Sequence, residues 1–473
     1  MGKHNNAGAE MKLDKEYGLA RVPMKGRQRL IEPLAVWFGY AFGPVAITSA
    51  AMVSGAFSFS QMMLVTFIGC LLLVLISGLM GSIGQREGMT FSLMSRYAWG
   101  TKAYRIAALI IPVGLVGWSS IHLFTVGMFV SRMVTGKSGL SPVYYITVIV
   151  SLLFIGGSAV RGMQTVTYVG FFAVPLIIAL LLITGARSMD ILGSFGDVLS
   201  APANSPGSLT IAGGVTAMVG SFACGAGGAS PDIQRFCKKQ SYAWIVSLVT
   251  FAVAYPFLMF VSSIIALATG ASAFVDAYEV LNMLPMGSVA VFLLAWSTIN
   301  ADYYTSSLSF ANALGIKREK ATICIATVGG VLALLGSGFF LEQYLTAMTA
   351  FMVPIVGVAF SDYYLVNKGK YPEPELTVLK DTPIPAVKWG AVLGYAVGVV
   401  TLFVSEKTSF LIPPINCLVM TALFHWIGCK LFKQTVNYND WCDEEAREEA
   451  FAAPTYEELV EQNVAYDMEK EIG

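Results

Sequence analysis

The feature that most limits what this chain can fold into is a series of apolar blocks, each about 20 residues long, separated by short polar segments. A helix of that length crosses the roughly 30 Å hydrocarbon core of a bilayer, because it rises about 1.5 Å per residue. The chain is 55% hydrophobic and 13% charged, whereas a soluble domain carries about 25% charged residues. These patterns predict an all-α polytopic membrane protein, surrounded by lipid bilayer, and they exclude a soluble enzyme.

Charge and cysteine content exclude several other classes. Thirty Lys and Arg balance thirty Asp and Glu, so the net charge gives no indication of a nucleic-acid partner. The seven cysteines are scattered without CxxC or Cys/His spacing, which argues against a zinc site and a disulfide framework. The three histidines, at positions 4, 122 and 425, are far apart and indicate no catalytic cluster. We therefore predict that the protein is not an enzyme and has no cofactor.

Hydropathy predicts twelve membrane spans. They lie near residues 32–56, 61–84, 106–131, 143–160, 165–185, 210–231, 242–269, 285–310, 321–339, 342–366, 388–405 and 409–432. Residues 86–103 are too polar to span, and we expect them to form a short interfacial or re-entrant piece. The glycine-rich segment 210–231 scores weakly on hydropathy alone.

The distribution of basic residues predicts the orientation in the membrane. With the N-terminus inside the cell, 26 of the 30 basic residues fall on the cytoplasmic side, and the external loops hold only Arg132, Lys137, Arg187 and Lys407. We therefore expect a multi-pass protein of the cell membrane with both termini in the cytoplasm. The N-terminus lacks the pattern of a cleavable signal peptide. The acidic C-terminal tail is predicted to be a solvated, partly helical extension.

Two spans carry helix-breaking residues at corresponding positions of two halves. The first contains the run Gly39–Pro44, and the sixth has four glycines in the nine residues Gly220–Gly228. Proline removes a backbone donor, and glycine tolerates non-helical dihedrals. Such pairs indicate an inverted repeat of five plus five helices, with discontinuous helices 1 and 6 and two extra helices. Close helix packing through small residues is the alternative explanation. The predicted segments are 1–31, 32–185, 186–209, 210–366, 367–432 and 433–473.

The third span places an aromatic ring beside an ionisable one. His122 follows Trp118 by four residues, so both side chains lie on one face of a helix. An aromatic plane next to a hydrogen-bonding group suits a flat heterocycle, which offers faces for stacking and edges for hydrogen bonds. The alternative is a buried histidine that is satisfied within the protein and packed by a tryptophan.

The eighth span contains further polar candidates. Ser297 and Thr298 are adjacent hydroxyls that could bind a small cation, although an isolated pair usually bonds to its own helix. Asp302 lies toward the cytoplasmic half and could titrate, pair with a cation or bond to backbone. Asp232 and Arg235 lie at the cytoplasmic end of the sixth span, where they favour a structural or gating pair.

Several motifs together resemble one known family, the nucleobase:cation symporter-1 family. It includes cytosine permeases, purine permeases and hydantoin and allantoin transporters. The resemblance covers about 85% of the chain, from Gly18 to the twelfth span. It rests on Gly18–Pro23 followed by Arg27, Gly84–Gly88 followed by Ser95–Gly100, Gly114–Trp118, Pro231–Phe236 and Ser361–Leu365.

The resemblance implies a fold and a substrate site. The fold would be the five-plus-five inverted repeat shared with sodium-coupled amino-acid symporters. Trp118 and Phe222 would stack on the two faces of a substrate ring, and His122 stands where hydantoin transporters carry a substrate-binding glutamine. Three further positions are implied to reach the substrate or to lie beside it. These are the backbone groups of Gly220 and Ser221, the thiol of Cys224, where cytosine permeases have a serine, and Tyr303, where hydantoin transporters have an asparagine.

The resemblance also implies a sodium site. Its ligands would be the backbone carbonyls of Gly39, Phe42 and Leu294 and the hydroxyls of Ser297 and Thr298. Both hydroxyls are present in this chain. Leu294 stands where cytosine permease has an asparagine that contacts the base, so cytosine itself is not favoured as the substrate.

These patterns together predict a transporter that imports a nucleobase or related flat heterocycle by cation symport. The mechanism would be alternating access, with Na⁺ as the coupling ion and a monomer as the working unit. Two alternatives stay open: proton coupling through Asp302 or His122, and an amino-acid or other organic-solute symporter of the same fold. A channel would need filter-like repeats or rings of charge, which the sequence does not contain.

Overall fold

The computed structural model describes residues 16–461, except for 138, 204–205, 272, 378–381, 437–440 and 442–443. Within these residues all regular elements are helices, and a single β-bridge joins Gln28 to Cys237. The first half of the chain contains α1 (Ile31–Ala41), α2 (Pro44–Ala56), α3 (Phe59–Glu87), α4 (Phe91–Trp99), α5 (Tyr104–Thr135), α6 (Pro142–Ala159), α7 (Met163–Leu192) and α8 (Phe195–Ser200).

The second half follows with α9 (Ile211–Cys224), α10 (Ser230–Gln234), α11 (Gln240–Val249), α12 (Tyr255–Thr269), α13 (Phe274–Val280), α14 (Leu284–Leu314), α15 (Arg318–Leu334), α16 (Leu341–Phe360), α17 (Trp389–Thr408), α18 (Pro413–Leu431) and α19 (Glu444–Ala452). Short π-helical segments connect α9 to α10 and α11 to α12, and another follows α16.

The predicted twelve spans agree with these helices. In the described part of the chain, ten segments are continuous, apolar and at least 18 residues long. The first span is divided between α1 and α2, and the ninth is α15, with 17 residues. The polar segment 86–103 contains the short helix α4, as expected. The all-α membrane fold is therefore confirmed.

The first predicted break is present between α1 and α2. Phe42 has φ −91° and ψ 57°, Gly43 is extended, and Pro44 begins the next helix. Pro44 cannot donate to the preceding turn, so α1 stops there. The carbonyls of the last turn of α1 then lack partners within the helix. This leaves polar backbone groups exposed in the middle of the bundle.

The second break is at the predicted place but has a different form. Gly225–Ala229 is a π-helical segment between α9 and α10, so the backbone of the sixth span stays helical. A π turn widens the helix and shifts the hydrogen bonds to residues five apart. Glycines have no side chain to crowd this wider turn. The interruption is therefore a change of helical register rather than an unwound stretch.

Helices α1, α2, α5, α9 and α14 meet around the centre of the bundle. Helix α14 packs along α5 and α7, and α9 packs on α3 and α16. The last two spans, α17 and α18, pack on each other and on α16. A buried ion pair joins them to the rest, since Lys388 Nζ lies 2.7 Å from Asp362 Oδ1 with both side chains fully buried.

Both ends of the described chain lie at one end of the bundle, which we call the termini end. The backbone N–H of Tyr456 donates to the Tyr17 hydroxyl at 2.8 Å, and Lys25 pairs with Glu458 at 3.2 Å. The aromatic ring of Phe451 in α19 lies 5.0 Å from the Arg27 guanidinium. The predicted helix in the acidic tail is therefore present, but it docks on the N-terminal segment. Residues 1–15, where a signal peptide was not expected, and 462–473 of the tail lie outside the described residues.

Arg21 anchors the N-terminal segment at this end. Its guanidinium donates to Glu87 Oε2 at 2.6 Å and to the carbonyls of Tyr371 and Pro372 at 3.0 Å. Burial alone would lower the pKa of Arg21, but the carboxylates of Glu87 and Glu373 raise it above its ordinary value. The segment before α1 is thereby fixed to the end of α3 and to the chain after α16.

Candidate binding site

A small cavity, with free space of about 20 Å³, lies where the break between α1 and α2 meets α5, α9 and α14. This is room for about one water molecule, so a ring-sized ligand can enter only after the walls of the cavity move apart. Its walls combine aromatic rings with a few polar groups. The lining residues are Tyr40, Gly43, Ala46, Trp118, His122, Ser221, Phe222, Gly225, Thr298 and Asp302. Six of them were singled out from the sequence: Trp118, His122, Ser221, Phe222, Thr298 and Asp302.

The aromatic wall comes from α5 and α9. The rings of Trp118 and His122 are stacked at 27°, with centroids 6.1 Å apart, as their spacing of four residues predicted. Phe222 meets Tyr40 edge-on, with centroids 5.7 Å apart. Tyr344 packs edge-on against Trp118 at 5.1 Å. These neighbours hold the two predicted stacking rings in fixed orientations.

Two ring nitrogens of this wall have no partner. Trp118 Nε1 and His122 Nδ1 are buried and make no hydrogen bond to any described residue. Most buried polar groups in proteins are paired, and an unpaired one costs roughly 1–3 kcal/mol. The structure therefore does not support the alternative of a satisfied histidine at this position. A ligand with hydrogen-bonding groups on its edge would supply both partners.

Asp302 gives the cavity its charge. The Tyr40 hydroxyl donates to Oδ1 at 2.8 Å and the Ser119 hydroxyl to Oδ2 at 3.2 Å. The carboxyl is fully buried, and no ion pair among the described residues includes it. A buried carboxylate without a counter-ion is costly. The cavity therefore favours a bound cation or a proton close to Asp302.

The predicted cation ligands come together at the break in the first span. A Cβ atom on Gly39 would clash with Ser297 Oγ, and one on Gly43 would lie 3.3 Å from Thr298 Oγ1. Phe42 lies between these glycines, and Leu294 precedes Thr298 by one helical turn. The free carbonyls at the end of α1 therefore lie beside the hydroxyls of α14.

Thr298 fits a cation ligand in a second respect. Its Oγ1 is buried and makes no hydrogen bond to any described residue, so it does not bond back to its own helix. Two hydroxyls of α14 do bond back to the helix, those of Ser288 and Ser307, whereas the hydroxyls of Thr305, Ser306 and Ser309 make no hydrogen bond to any described residue, like that of Thr298. The usual behaviour of an isolated hydroxyl on a helix therefore does not apply to Thr298.

Three predicted substrate residues face away from the cavity. Gly220 lies against the Leu345 carbonyl of α16, and Cys224 Sγ is 3.5 Å from Met348 Sδ. Helical periodicity explains this. Ser221 and Gly225 are four residues apart and share the face of the helix toward the cavity, whereas Gly220 and Cys224 share a different face. The Tyr303 hydroxyl points toward Gly329 of α15, about 100° around the helix from its neighbour Asp302.

Asp232 and Arg235, predicted as a structural or gating pair, are joined by a hydrogen bond from Arg235 Nε to the Asp232 carbonyl at 3.0 Å. Asp232 Oδ1 accepts from the backbone N–H of Phe91 at 2.7 Å, at the start of α4. Arg235 donates to the carbonyls of Glu16 at 2.6 Å and Tyr17 at 2.8 Å, and to the Tyr304 hydroxyl at 3.2 Å. Arg235 thus connects the N-terminal segment to α14, two residues beyond Asp302.

The sequence interpretation assigned no role to Tyr40, Ser119 and Gly225. Tyr40 lies inside the run of residues that breaks the first span, which is the one local signal for it. Its partner Asp302 is 262 residues away, and Ser119 is 183 residues from the same carboxyl. No pattern within one segment reveals such contacts.

Comparison with known protein families gives a match over residues 22–428. The matching family is described as permeases for cytosine/purines, uracil, thiamine and allantoin. This chain belongs to that family, the nucleobase:cation symporter-1 family. The identity predicted from the motifs is thereby confirmed, and the protein is a multi-pass membrane transporter and not an enzyme.

Two curated relatives align over most of the chain. The cytosine permease of Escherichia coli (strain K12) is 26% identical over 396 residues, which cover 82% of this chain and 89% of the relative. The hydantoin permease of Microbacterium maritypicum is 23% identical over 469 residues, which cover 89% of this chain and 92% of the relative. The chain therefore spans nearly the whole length of both.

Solved structures agree with the fold. The inward-facing conformation of Mhp1 superimposes with a TM-score of 0.77 at 19% identity, covering 92% of this chain and 97% of Mhp1. A Na⁺-coupled sialic acid symporter in a substrate-bound outward-open state gives a TM-score of 0.64 at 12% identity, covering 89% of this chain and 93% of the symporter. At these identities the similarity concerns the fold, which is the predicted inverted-repeat architecture.

Proposed function

We propose that this symporter-family member imports a nucleobase or a closely related flat heterocycle together with Na⁺, by alternating access. One observation carries the proposal: the central cavity places an aromatic wall, two unpartnered ring nitrogens and an unpartnered hydroxyl side by side. A flat heterocycle offers both faces for stacking and edges for hydrogen bonds. An aliphatic amino acid, the alternative of the same fold, has no ring to stack on this aromatic wall.

In this proposal the substrate ring lies between Trp118 and Phe222. His122 Nδ1 and Trp118 Nε1 reach its edge, with Ser221 nearby. Three residues lie on faces of α9 and α14 that are turned away from the cavity: Gly220, Cys224 and Tyr303. In this proposal they pack against neighbouring helices and do not contact the substrate.

The coupling ion would lie beside the substrate. Its proposed ligands are the carbonyls of Gly39, Phe42 and Leu294 and the hydroxyls of Ser297 and Thr298. Carbonyl groups at the ends of broken helices are well suited to Na⁺ in transporters of this architecture. The unpartnered Thr298 hydroxyl and its closeness to the break in the first span support this site.

We place the termini end of the bundle in the cytoplasm of a monomer in the cell membrane, because 26 of the 30 basic residues fall on that side. Arg235 then acts as part of the cytoplasmic gate. Its bonds to the carbonyls of Glu16 and Tyr17 hold the N-terminal segment beneath α14. Opening toward the cytoplasm would require these bonds to break.

The deciding experiment is the thermal stability of the purified protein with a panel of nucleobases, hydantoins and allantoin, in sodium and in potassium. A ligand at 100 times its dissociation constant stabilises by about 2.7 kcal/mol. We expect one flat heterocycle to raise the unfolding temperature, and to raise it more in sodium. The double variant Ser297→Ala/Thr298→Ala should keep a shift that no longer depends on sodium.

Two outcomes would contradict the proposal. Stabilisation by an amino acid and by no ring compound would mean that the aromatic wall does not bind the substrate. An equal dependence on sodium in the double variant and in the unaltered protein would remove the assigned cation site.

A proton-coupled transporter is the second candidate, favoured by Asp302. Its carboxyl lines the cavity and has two hydroxyl donors but no basic partner among the described residues. A proton on Asp302 would remove the cost of the buried charge. If protons drive uptake, Asp302→Asn should abolish the dependence of accumulation on the pH gradient while substrate binding persists. If uptake by this variant still follows the sodium gradient, sodium is the coupling ion.

A further inference from the structure

A second cavity lies at the termini end, outside the central site. It encloses about 1570 Å³ of space, part of it open to solvent, between the start of α5, the end of α14 and the start of α15. Its lining contains five basic side chains and no acidic one. The basic residues are Arg96, Lys102, Arg105, Lys317 and Arg318.

Arg96 is buried in the wall of this cavity with part of its hydrogen-bonding capacity unused. It is 6% exposed, and its Nη2 donates to Asn312 Oδ1 at 2.5 Å and its Nη1 to Thr377 Oγ1 at 3.2 Å. Its Nε makes no hydrogen bond to any described residue. The ring of Tyr104 lies 4.9 Å from the guanidinium carbon and fixes its plane.

Arg318 is the second buried arginine of the wall and is 8% exposed. Its Nη2 donates to the Val160 carbonyl at 2.5 Å, and Nε and Nη1 make no hydrogen bond within the described part of the chain. The Glu16 carboxylate lies near the Nη2 end, where it accepts from the backbone N–H of Met163 at 3.3 Å. Three charged donors on two helices, Arg96 Nε and the Nε and Nη1 of Arg318, thus make no hydrogen bond to any described residue and are left for an acceptor in the cavity.

Three helix ends meet at the cavity, and the partial negative charge at the C-terminus of α14 opposes in part the charge of the other two. The N-termini of α5 and α15 both face this region, and a helix N-terminus carries a partial positive charge. Cations are normally disfavoured there, yet Lys102 and Lys317 lie directly before the two helices. A bound anion would offset both unfavourable placements. The general excess of Lys and Arg on one side of a membrane protein explains exposed charges, but it does not explain two buried arginines with unused donors.

The rim of the cavity is apolar. Leu314 is 52% exposed and Ile316 is 36% exposed, and both belong to its lining. Leu314 is the last residue of the membrane-spanning helix α14 and Ile316 follows it by two residues, which places both where the apolar region of the bilayer would meet its headgroups. A ligand that fits this arrangement combines a phosphate group with an acyl chain. We infer that this cavity binds the phosphate group of an anionic phospholipid from the adjoining leaflet.

The test compares two variants with the same loss of charge. Lys102→Gln/Lys317→Gln removes two exposed cations from the cavity, and Lys238→Gln/Lys239→Gln removes two exposed cations at the same end but outside it. Each full-length protein is titrated with phosphatidylglycerol, phosphatidylcholine or inorganic phosphate in detergent, and bound lipid is counted by native mass spectrometry. We expect one phosphatidylglycerol to bind, and its affinity to fall about tenfold or more in the cavity variant alone.

Three results would overturn the inference. An equal loss in both variants would mean that general surface charge binds the lipid. Equal binding of phosphatidylcholine would mean that the anionic headgroup is not recognised. Competition by millimolar inorganic phosphate would mean that the cavity holds a free anion rather than a lipid. Unfolding temperatures without lipid, which we expect to be the same for all three proteins, separate a binding defect from a folding defect.

Discussion

At the scale of single residues, Trp118 presents two different features to the cavity, a ring face and a donor. The face lies between His122 and Tyr344, and the Nε1 donor has no partner among the described residues. Stacking of a base on an aromatic side chain contributes about 1–3 kcal/mol. A donor that finds an acceptor only in the bound state adds selectivity for rings with an acceptor at that edge.

Replacement of Trp118 should separate these two contributions. Trp118→Ala removes both, and we expect substrate affinity to fall by about 5- to 150-fold, as the stacking energy predicts. Trp118→Phe keeps a ring face and loses the donor, so its affinity should lie between those of the other two proteins. Binding is measured by titration of the purified proteins.

A matched control is available on α17, where Trp389 is 53% exposed. Trp389→Ala should leave binding unchanged. If Trp118→Ala bound the substrate as well as this control does, the substrate would lie elsewhere.

At the scale of secondary structure, the break between α1 and α2 lies directly against α14. Gly39 has no room for a Cβ atom, because that atom would clash with Ser297 Oγ. Gly55 is also helical, at the far end of α2, and a Cβ atom there would meet nothing within 4 Å. Both glycines have a helical backbone, but only Gly39 is in close contact with another helix. Gly55 is therefore a matched control for a substitution at Gly39.

The variant Gly39→Ala should weaken the cation site. The added methyl group would push α1 and Ser297 apart, so we expect the sodium concentration needed for half-maximal substrate binding to rise several-fold. Gly55→Ala should leave that concentration unchanged and should stabilise the helix slightly, since alanine has the higher helix propensity. If both variants respond alike to sodium, contact between α1 and α14 does not determine cation binding.

The attachment of α17 and α18 depends on the buried pair of Lys388 and Asp362. The Tyr371 hydroxyl also donates to this carboxylate, at 2.9 Å. Lys388→Met leaves a buried charge without its cation, and we expect a loss of about 3–5 kcal/mol in stability. Adding Asp362→Asn to this variant should restore most of the loss. Unfolding in detergent, followed by intrinsic fluorescence, measures both effects.

The same substitution on the other end of α17 serves as control. Lys407 is exposed, and Lys407→Met should change stability by less than about 0.5 kcal/mol. A similar loss in Lys388→Met and Lys407→Met would show that the pair contributes nothing beyond a change in surface charge.

The sequence predicted the spans and the position of both breaks, because apolar length and glycine or proline content act locally. The π form of the second break was not predicted, since glycines lower the cost of several helical registers and do not select one. Trp118 and Phe222 were predicted to stack on the substrate ring, and both line the central cavity, while stacking on a substrate stays a prediction. Gly220 and Cys224 were predicted to reach the substrate edge, but in this structure they face α16, because packing between the helices, which local sequence does not show, sets the rotation of α9.

At the scale of the whole molecule, the proposed substrate and cation sites share a wall. Thr298 lines the cavity and is also a proposed cation ligand, and Gly43 lies beside both Thr298 and His122. Binding of the substrate would therefore fix the position of side chains that also contact the cation, and binding of the cation would do the same for the substrate. No relay through distant parts of the protein is needed for coupling.

Coupling of this kind must be reciprocal. The factor by which sodium raises substrate affinity should equal the factor by which substrate raises sodium affinity, and a tenfold effect corresponds to about 1.4 kcal/mol. Two calorimetric titrations, each with the other ligand absent or saturating, measure both factors. Ser297→Ala/Thr298→Ala should bring both factors to one. A sodium effect on substrate affinity that persists in this variant would contradict direct coupling through the shared wall.

The bonds of Arg21 set an order of events during synthesis. This residue enters the ribosome exit tunnel among the first, yet the carbonyl of Tyr371 that it binds lies 350 residues later. At roughly 5–20 residues per second, the ribosome needs about 20–70 s to deliver that partner. The partner Glu87 is made only 66 residues after Arg21, so the N-terminal segment can pair with the end of α3 early and gains its second attachment, at Tyr371, much later. The termini end therefore closes in two steps, one after α3 and the other only after α16 has been made.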